Sequence, residues 1–165
     1  MTYNDILEKT YAKLLSFVSY KPRSTREVSE KVKALLRSDK QTLTVLEKDT
    51  IGEAILTRLT DLRVVDDTSN LELYVQSYLL SSKPKSTTHL RTYLYKKGYP
   101  KELIDTALLK IGTTFEGESA VQSAQKKLKS FGKYPEKEKR QRLIRYLVQK
   151  GYSFDTAIAA LDTMR

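Results

Sequence analysis

The side chains best equipped for chemistry in this chain are cationic. Lys137, Lys139, Arg140, Arg142 and Arg145 follow one another within nine residues. If that stretch is helical, Leu143, Ile144, Leu147 and Val148 span an apolar arc. At ~100° per residue, Arg142, Arg145 and Gln149 then cluster opposite it. Two guanidiniums on one exposed face suit carboxylates or phosphates, because each planar fork makes paired hydrogen bonds. The same residues also read as a plain solvated helix face. Lys137, Lys139 and Arg140 put positive charge near the helix start, where it opposes the dipole at a cost of ~0.3–1 kcal/mol. An anionic partner would offset that cost, and so would the neighbouring Glu136 and Glu138.

Other chemistries have little to stand on. His89 is the one histidine and there is no cysteine, so no relay, thiol nucleophile or thiolate-bound zinc can be assembled. Asp66-Asp67 lacks a third acid in register and reads as a loop and helix cap rather than a metal pair. No glycine-rich phosphate loop ending in Lys-Ser/Thr follows a strand. The expectation is a binding protein, with no enzymatic activity, no cofactor and no metal. The 11 tyrosines and 4 phenylalanines raise the alternative of base stacking on single-stranded DNA. Tyr74, Tyr78, Tyr93, Tyr99, Tyr146 and Tyr152 lie on or beside apolar stripes, however, where tyrosine packs into a core with its hydroxyl at the rim.

Charge points to the kind of partner. The net charge of +10 is unevenly spread: residues 119–165 hold 11 Lys and Arg against 4 Asp and Glu, and residues 1–118 hold 19 against 16. Such a field raises encounter rates with nucleic acid or acidic protein surfaces. A second set of cations, Lys83, Lys85, Arg91, Lys96 and Lys97, sits on loops and helix ends in the middle of the chain. Lys21 and Arg23 are its counterparts nearer the start.

An internal repeat positions these groups. Lys96-Lys97-Gly98-Tyr99 recurs as Gln149-Lys150-Gly151-Tyr152, and at the same offset of 53 Leu90, Tyr93, Leu94, Ala107 and Leu108 match Leu143, Tyr146, Leu147, Ala160 and Leu161. Ser19-Tyr20-Lys21-Pro22-Arg23-Ser24-Thr25 resembles Ser81-Ser82-Lys83-Pro84-Lys85-Ser86-Thr87 at an offset of 62, while Ile51, Ile55, Leu56 and Leu59 fall on Leu103, Ala107, Leu108 and Ile111 at 52. The difference implies an insertion in the first unit, within 37–50. Three units follow, at 1–66, 67–114 and 115–165.

Each unit reads as three helices. In the middle one, Leu71, Tyr74, Val75, Tyr78 and Leu79 have the spacing of one buried helical face. Lys83-Pro84 stops that helix, and Ser86 or Thr87 caps the next. That second helix buries Leu90, Tyr93 and Leu94 and ends at Gly98, which supplies a left-handed C-terminal residue. Leu103, Ile104, Ala107, Leu108 and Ile111 line the third. The first unit is expected to have helices over 4–18, 25–36 and 51–62, and the last over 120–130, 137–150 and 154–164. Leu43-Thr44-Val45-Leu46 is the one piece that reads as extended. The loops 66–70 and 112–117 are hinge candidates. The fold class is therefore all-α: three tandem three-helix repeats, each too small to bury its own core, stacked into an elongated, curved array. No apolar run approaches the ~20 residues of a membrane span, and the N-terminus lacks the apolar core of a signal peptide. A cytoplasmic, monomeric protein is expected.

The Lys-Pro-x-Ser-Thr, helix, Lys-x-Gly-Tyr, helix cadence carries a resemblance. So does the run Leu62-Arg63-Val64-Val65-Asp66-Asp67 after Leu59, and so does Arg142-Leu143-Ile144-Arg145-Tyr146-Leu147 before Gly151-Tyr152. Over about residues 8–164 the sequence resembles RecX proteins. It departs from the family pattern at Asn70, where an aromatic is usual, and at Tyr74-Val75-Gln76-Ser77-Tyr78, where the family carries an arginine. The resemblance implies three tandem three-helix repeats and a regulator that docks in the groove of the RecA–DNA filament. It implies restraint of recombination, ATP hydrolysis and the co-protease role of that filament. Direct DNA binding through the basic face is the alternative, and weak DNA contact is compatible with either.

Overall fold

The computed structural model describes residues 2–38, 43–81, 83 and 85–164. Among these it has no strand. Nine α-helices follow one another: α1 (Tyr3–Ser19), α2 (Thr25–Ser38), α3 (Val45–Asp61), α4 (Asp67–Leu79), α5 (Thr87–Lys96), α6 (Lys101–Leu109), α7 (Thr113–Leu128), α8 (Glu136–Gln149) and α9 (Phe154–Thr163), with one 3-10 turn at Lys129–Phe131. They are distributed over two compact units, one of Met1–Leu73 with Lys96–Pro100, the other of Tyr74–Tyr95 with Lys101–Arg165.

In the first unit, α1 and α3 each start on a reciprocal capping box. Thr2 accepts from the Asp5 amide while the Asp5 carboxylate accepts from Thr2, and Thr44 and Glu47 repeat the arrangement. The second box corrects the expectation of an extended piece at 43–46. Thr44 is extended, as a cap, and Val45 and Leu46 already belong to α3, which begins six residues before the expected start at Ile51. Residues 39–42 of the expected insertion at 37–50 lie outside the described residues. Ile6, Tyr11 and Leu14 of α1, Val28, Val32 and Leu36 of α2, Ile51, Ile55 and Leu59 of α3, and Val65 form one core.

The hinge candidates are also corrected. Asp66 caps α4, its carboxylate accepting from the Thr68 and Ser69 amides at 2.9 and 3.1 Å, so 67–70 is helix. From 113 onward the second candidate is the first turns of α7, with Gly112 as its N-cap. A helical glycine at 117 costs about 1 kcal/mol against alanine, and the packing of α7 outweighs it.

In the second unit, α7 lies against α8 and α9. Ala120 and Ala124 are fully buried and form a core with Leu143, Leu147, Tyr152, Ala157, Ala160 and Leu161. In the middle helices Leu71, Val75, Tyr78, Leu90, Leu94, Ile104, Ala107, Leu108 and Ile111 are buried, whereas Leu79 and Tyr93, both expected inside, are exposed. Helix α4 ends at Leu79; Pro84, the expected stop, lies outside the described residues.

Candidate interaction surface

Two glycines decide where the second helices end. Gly98 has φ +86° and Gly151 φ +89°, the left-handed region in which a side chain is strained. Close approach adds to this. A Cβ on Gly98 would come within 2.6 Å of Arg26 Cδ, and one on Gly151 within 2.7 Å of Ser86 Oγ.

Each glycine turn receives a buried serine. In the first unit Ser24 Oγ donates to the Lys97 carbonyl at 2.5 Å and accepts from the Glu27 amide at 3.1 Å. Asp67 accepts from the Thr25 amide at 2.7 Å, and Asn70 Nδ2 donates to the Arg23 carbonyl at 2.9 Å. The second unit repeats the set. Ser86 Oγ donates to the Lys150 carbonyl, Glu116 accepts from the Thr87 amide, and Ser119 Oγ donates to the Lys85 carbonyl at 2.7 Å. Asn70, where the family pattern has an aromatic, is therefore a hydrogen-bonding member of this set. The Ser-Thr pairs at 24–25 and 86–87 and the Lys-Gly-Tyr motifs at 97–99 and 150–152 are two halves of one latch.

Tyr152 extends the second latch inward, its hydroxyl lying 2.8 Å from Ser119 Oγ and 3.2 Å from Ser123 Oγ. Burial pushes its ionisation up, against the opposing effect of its hydrogen bonds with the two serines. Burial likewise pushes up that of Tyr78, whose hydroxyl donates to the Lys85 carbonyl.

The cations divide into those held by neighbours and those left to solvent. In the first unit Arg23 is mostly buried, 3.4 Å from Glu27 and stacked 3.9 Å over the Phe17 ring, and Lys97 reaches the same Glu27 at 3.0 Å. Glu27 thus holds both cations. Lys21 and Lys96 are exposed. In the second unit Lys83 and Lys85 are exposed, and Arg91 pairs with Asp105 across α5 and α6.

Helix α8 carries its own series. Arg142 donates twice to Glu138 Oε1, at 3.0 and 2.7 Å, and its guanidinium lies 3.9 Å over the Tyr134 ring. The Glu138 hydrogen bonds hold it still more firmly in the charged form. Lys139 is 2.6 Å from Glu136 and Arg140 2.9 Å from Asp162. Arg145 and Lys137 are exposed, with no ion pair among the described residues. Lys137, Lys139 and Arg140, with Glu136 beside them, line an open cleft of about 420 Å³ together with Leu128, Leu143, Leu161 and Met164. This combination of apolar and mainly cationic lining suits an acidic surface that also carries apolar side chains.

Comparison with known proteins fits the three-helix pattern. The family model "RecX, third three-helix domain" matches residues 116–161. The regulatory protein RecX of Bacillus licheniformis is 34% identical over 160 residues, covering 97% of this chain and 57% of that protein. That of Bacillus subtilis is 31% identical, covering 97% and 56%. The crystal structure of RecX from Lactobacillus salivarius superposes with a TM-score of 0.78 at 26% identity, covering 97% of both chains. In sequence and in fold the chain is similar to RecX proteins over nearly its whole length. It spans a little over half the length of the curated RecX relatives it matches. Among the described residues no helix is long and apolar enough to cross a membrane.

The surface aromatics escaped the sequence reading. Tyr95 and Phe154 are 62% and 59% exposed, and neither lies on a buried stripe that periodicity would detect.

Proposed function

We propose that this RecX-like chain is a non-enzymatic regulator that binds the RecA–DNA filament and mainly inhibits its ATPase, strand-exchange and co-protease activities. The observation that carries the reading is the basic face of α8, with Arg145 and Lys137 open to solvent and Arg142 oriented by Glu138 and Tyr134. The likeness to regulatory RecX proteins supports the filament as the target of such a face. Electrostatic attraction sets the encounter rate, and packed side chains set register and residence time. A chain bridging neighbouring protomers would oppose the movements that accompany ATP turnover and would obstruct a second DNA or a cleavage substrate.

The test is the DNA-dependent ATPase of RecA titrated with the chain. Inhibition at sub-stoichiometric to stoichiometric ratios is expected, weakened by Arg142→Glu with Arg145→Glu. An ATPase left untouched at saturating amounts overturns the reading.

A further inference from the structure

Between α5 and α6 runs an open groove of about 280 Å³ lined by Arg91, Thr92, Tyr95, Lys101 and Ile104. Tyr95 stands 62% exposed in it. Lys101 is exposed and carries no ion pair among the described residues, while Arg91 is steadied by Asp105. One exposed aromatic is ordinary on a protein surface.

Its recurrence is not. The 53-residue offset of the repeat carries Arg91, Thr92, Tyr95, Lys101 and Ile104 onto Ile144, Arg145, Val148, Phe154 and Ala157, on α8 and α9 of the same unit. There Phe154 is 59% and Val148 44% exposed, and Arg145 is open to solvent. The identities have changed position by position. The ring moves from the second helix of the set to the third, and the unpaired cation moves the opposite way. The composition has survived, with one exposed ring and one unpaired cation in each. Shared ancestry preserves identities, whereas a shared task preserves this kind of composition.

We propose that these are two copies of one docking surface, each taking an acidic, apolar-bearing patch of a protein partner that repeats along a polymer. The inference rests on the filament reading above and names the residues that grip. Rings and arginines are the side chains that dominate interface energetics when their surroundings are desolvated. Lys101 and Arg145 supply charge complementarity to carboxylates. A single nucleic-acid strand fits less well. One exposed ring in each set makes no stacking platform, and one unpaired cation in each neutralises few phosphates.

The experiment measures binding of the full chain to an ATP-bound recombinase filament on single-stranded DNA, with the same DNA alone in parallel. Tyr95→Ala and Phe154→Ala are compared singly and together with the unaltered chain, and Tyr95→Phe serves as the conservative control. Thermal melts should coincide for all of them, since the two rings are mostly solvated. Each alanine should weaken filament binding about tenfold or more, the pair should weaken it further, and Tyr95→Phe should restore most of the affinity. If the unaltered chain binds the filament and the double variant binds equally well, the docking surface is wrong while the filament reading stands. If the unaltered chain does not bind, the filament reading falls and takes this one with it. If the double variant loses DNA alone as much as filament, the surface serves nucleic acid and the proposal is overturned.

Discussion

Ser86 donates its hydroxyl to the main-chain carbonyl of Lys150 at 2.6 Å, 64 residues along the chain, while accepting from the His89 amide three residues on. One oxygen thus caps α5 and ties it to the glycine turn that ends α8. Ser24 and Lys97 stand in the same relation in the first unit. A serine is small enough to be fully buried at both sites, and it both donates and accepts, which alanine cannot do.

Ser24→Ala and Ser86→Ala should therefore each destabilise their own unit. Losing the cap costs about 1 kcal/mol, and leaving the carbonyl without its donor adds a comparable amount. The two sites share no partner, so a double variant should show nearly the sum of the two losses. Urea denaturation followed by circular dichroism reads this as a lower midpoint. An unchanged midpoint in either single variant would remove the latch from the account.

The glycines on the receiving side make a sharper case. Gly151→Ala adds a Cβ at a positive φ, within 2.7 Å of Ser86 Oγ. Left-handed backbone alone costs an ordinary residue ~1–2 kcal/mol, and the displaced serine gives up part of its hydrogen bonding. Gly151→Ala should cost more than Gly117→Ala, which sits in helical backbone with open space around it and should leave stability unchanged or raise it by up to ~1 kcal/mol. The opposite order in thermal melts would contradict the geometry.

Helix caps also set a pH dependence. The Ser69 amide and hydroxyl hold Asp66 below the usual carboxylate range, as Thr2 does Asp5 and Thr44 does Glu47. A folded-state pKa that is depressed favours the ionised carboxylate in the fold. The stabilisation is present above the unfolded value near ~4 and lost as pH falls through the lower folded values. Thermal stability should drop between about pH 4 and pH 2, and Asp66→Asn should flatten part of that drop. At the other end Tyr78 and Tyr152 are pushed up by burial, so their contribution is present at neutral pH and lost as pH rises past ~10.

The helical class, the glycine turns and the serine caps were legible from periodicity, because each depends on residues within a turn or two of one another. The latch was not. Nothing local in Lys-Pro-x-Ser-Thr says that its serine will meet a carbonyl 73 or 64 residues away. The starts of α3 and α7 were missed for a related reason. Val45 and Leu46 open α3 with apolar but exposed side chains, off the buried face that periodicity registers, and Gly112 and Gly117 make the first turns of α7 read as a loop. At the surface, charge spacing located the basic face of α8. It did not distinguish Arg23, drawn inward by Glu27 and Phe17, from Arg145, because the partners that hold an arginine need not be near it in sequence.

That difference separates Arg142 from Arg145 three residues later. Arg142 donates twice to Glu138 and stacks over Tyr134, so Arg142→Glu removes a cation–π contact and sets two carboxylates four residues apart on α8. A modest loss of stability follows, of order 0.5–1 kcal/mol for a partly exposed site. Arg145→Glu touches no such partner and should melt within ~0.5 kcal/mol of the unaltered chain. Both reverse charge on the same helix face, so both should weaken inhibition of the filament ATPase, and more so at low salt, where screening is weak. The decisive comparison is Arg145→Glu in melts and ATPase titrations together. Full stability with reduced inhibition assigns the face to the partner, whereas full stability with undiminished inhibition leaves it a solvated helix surface.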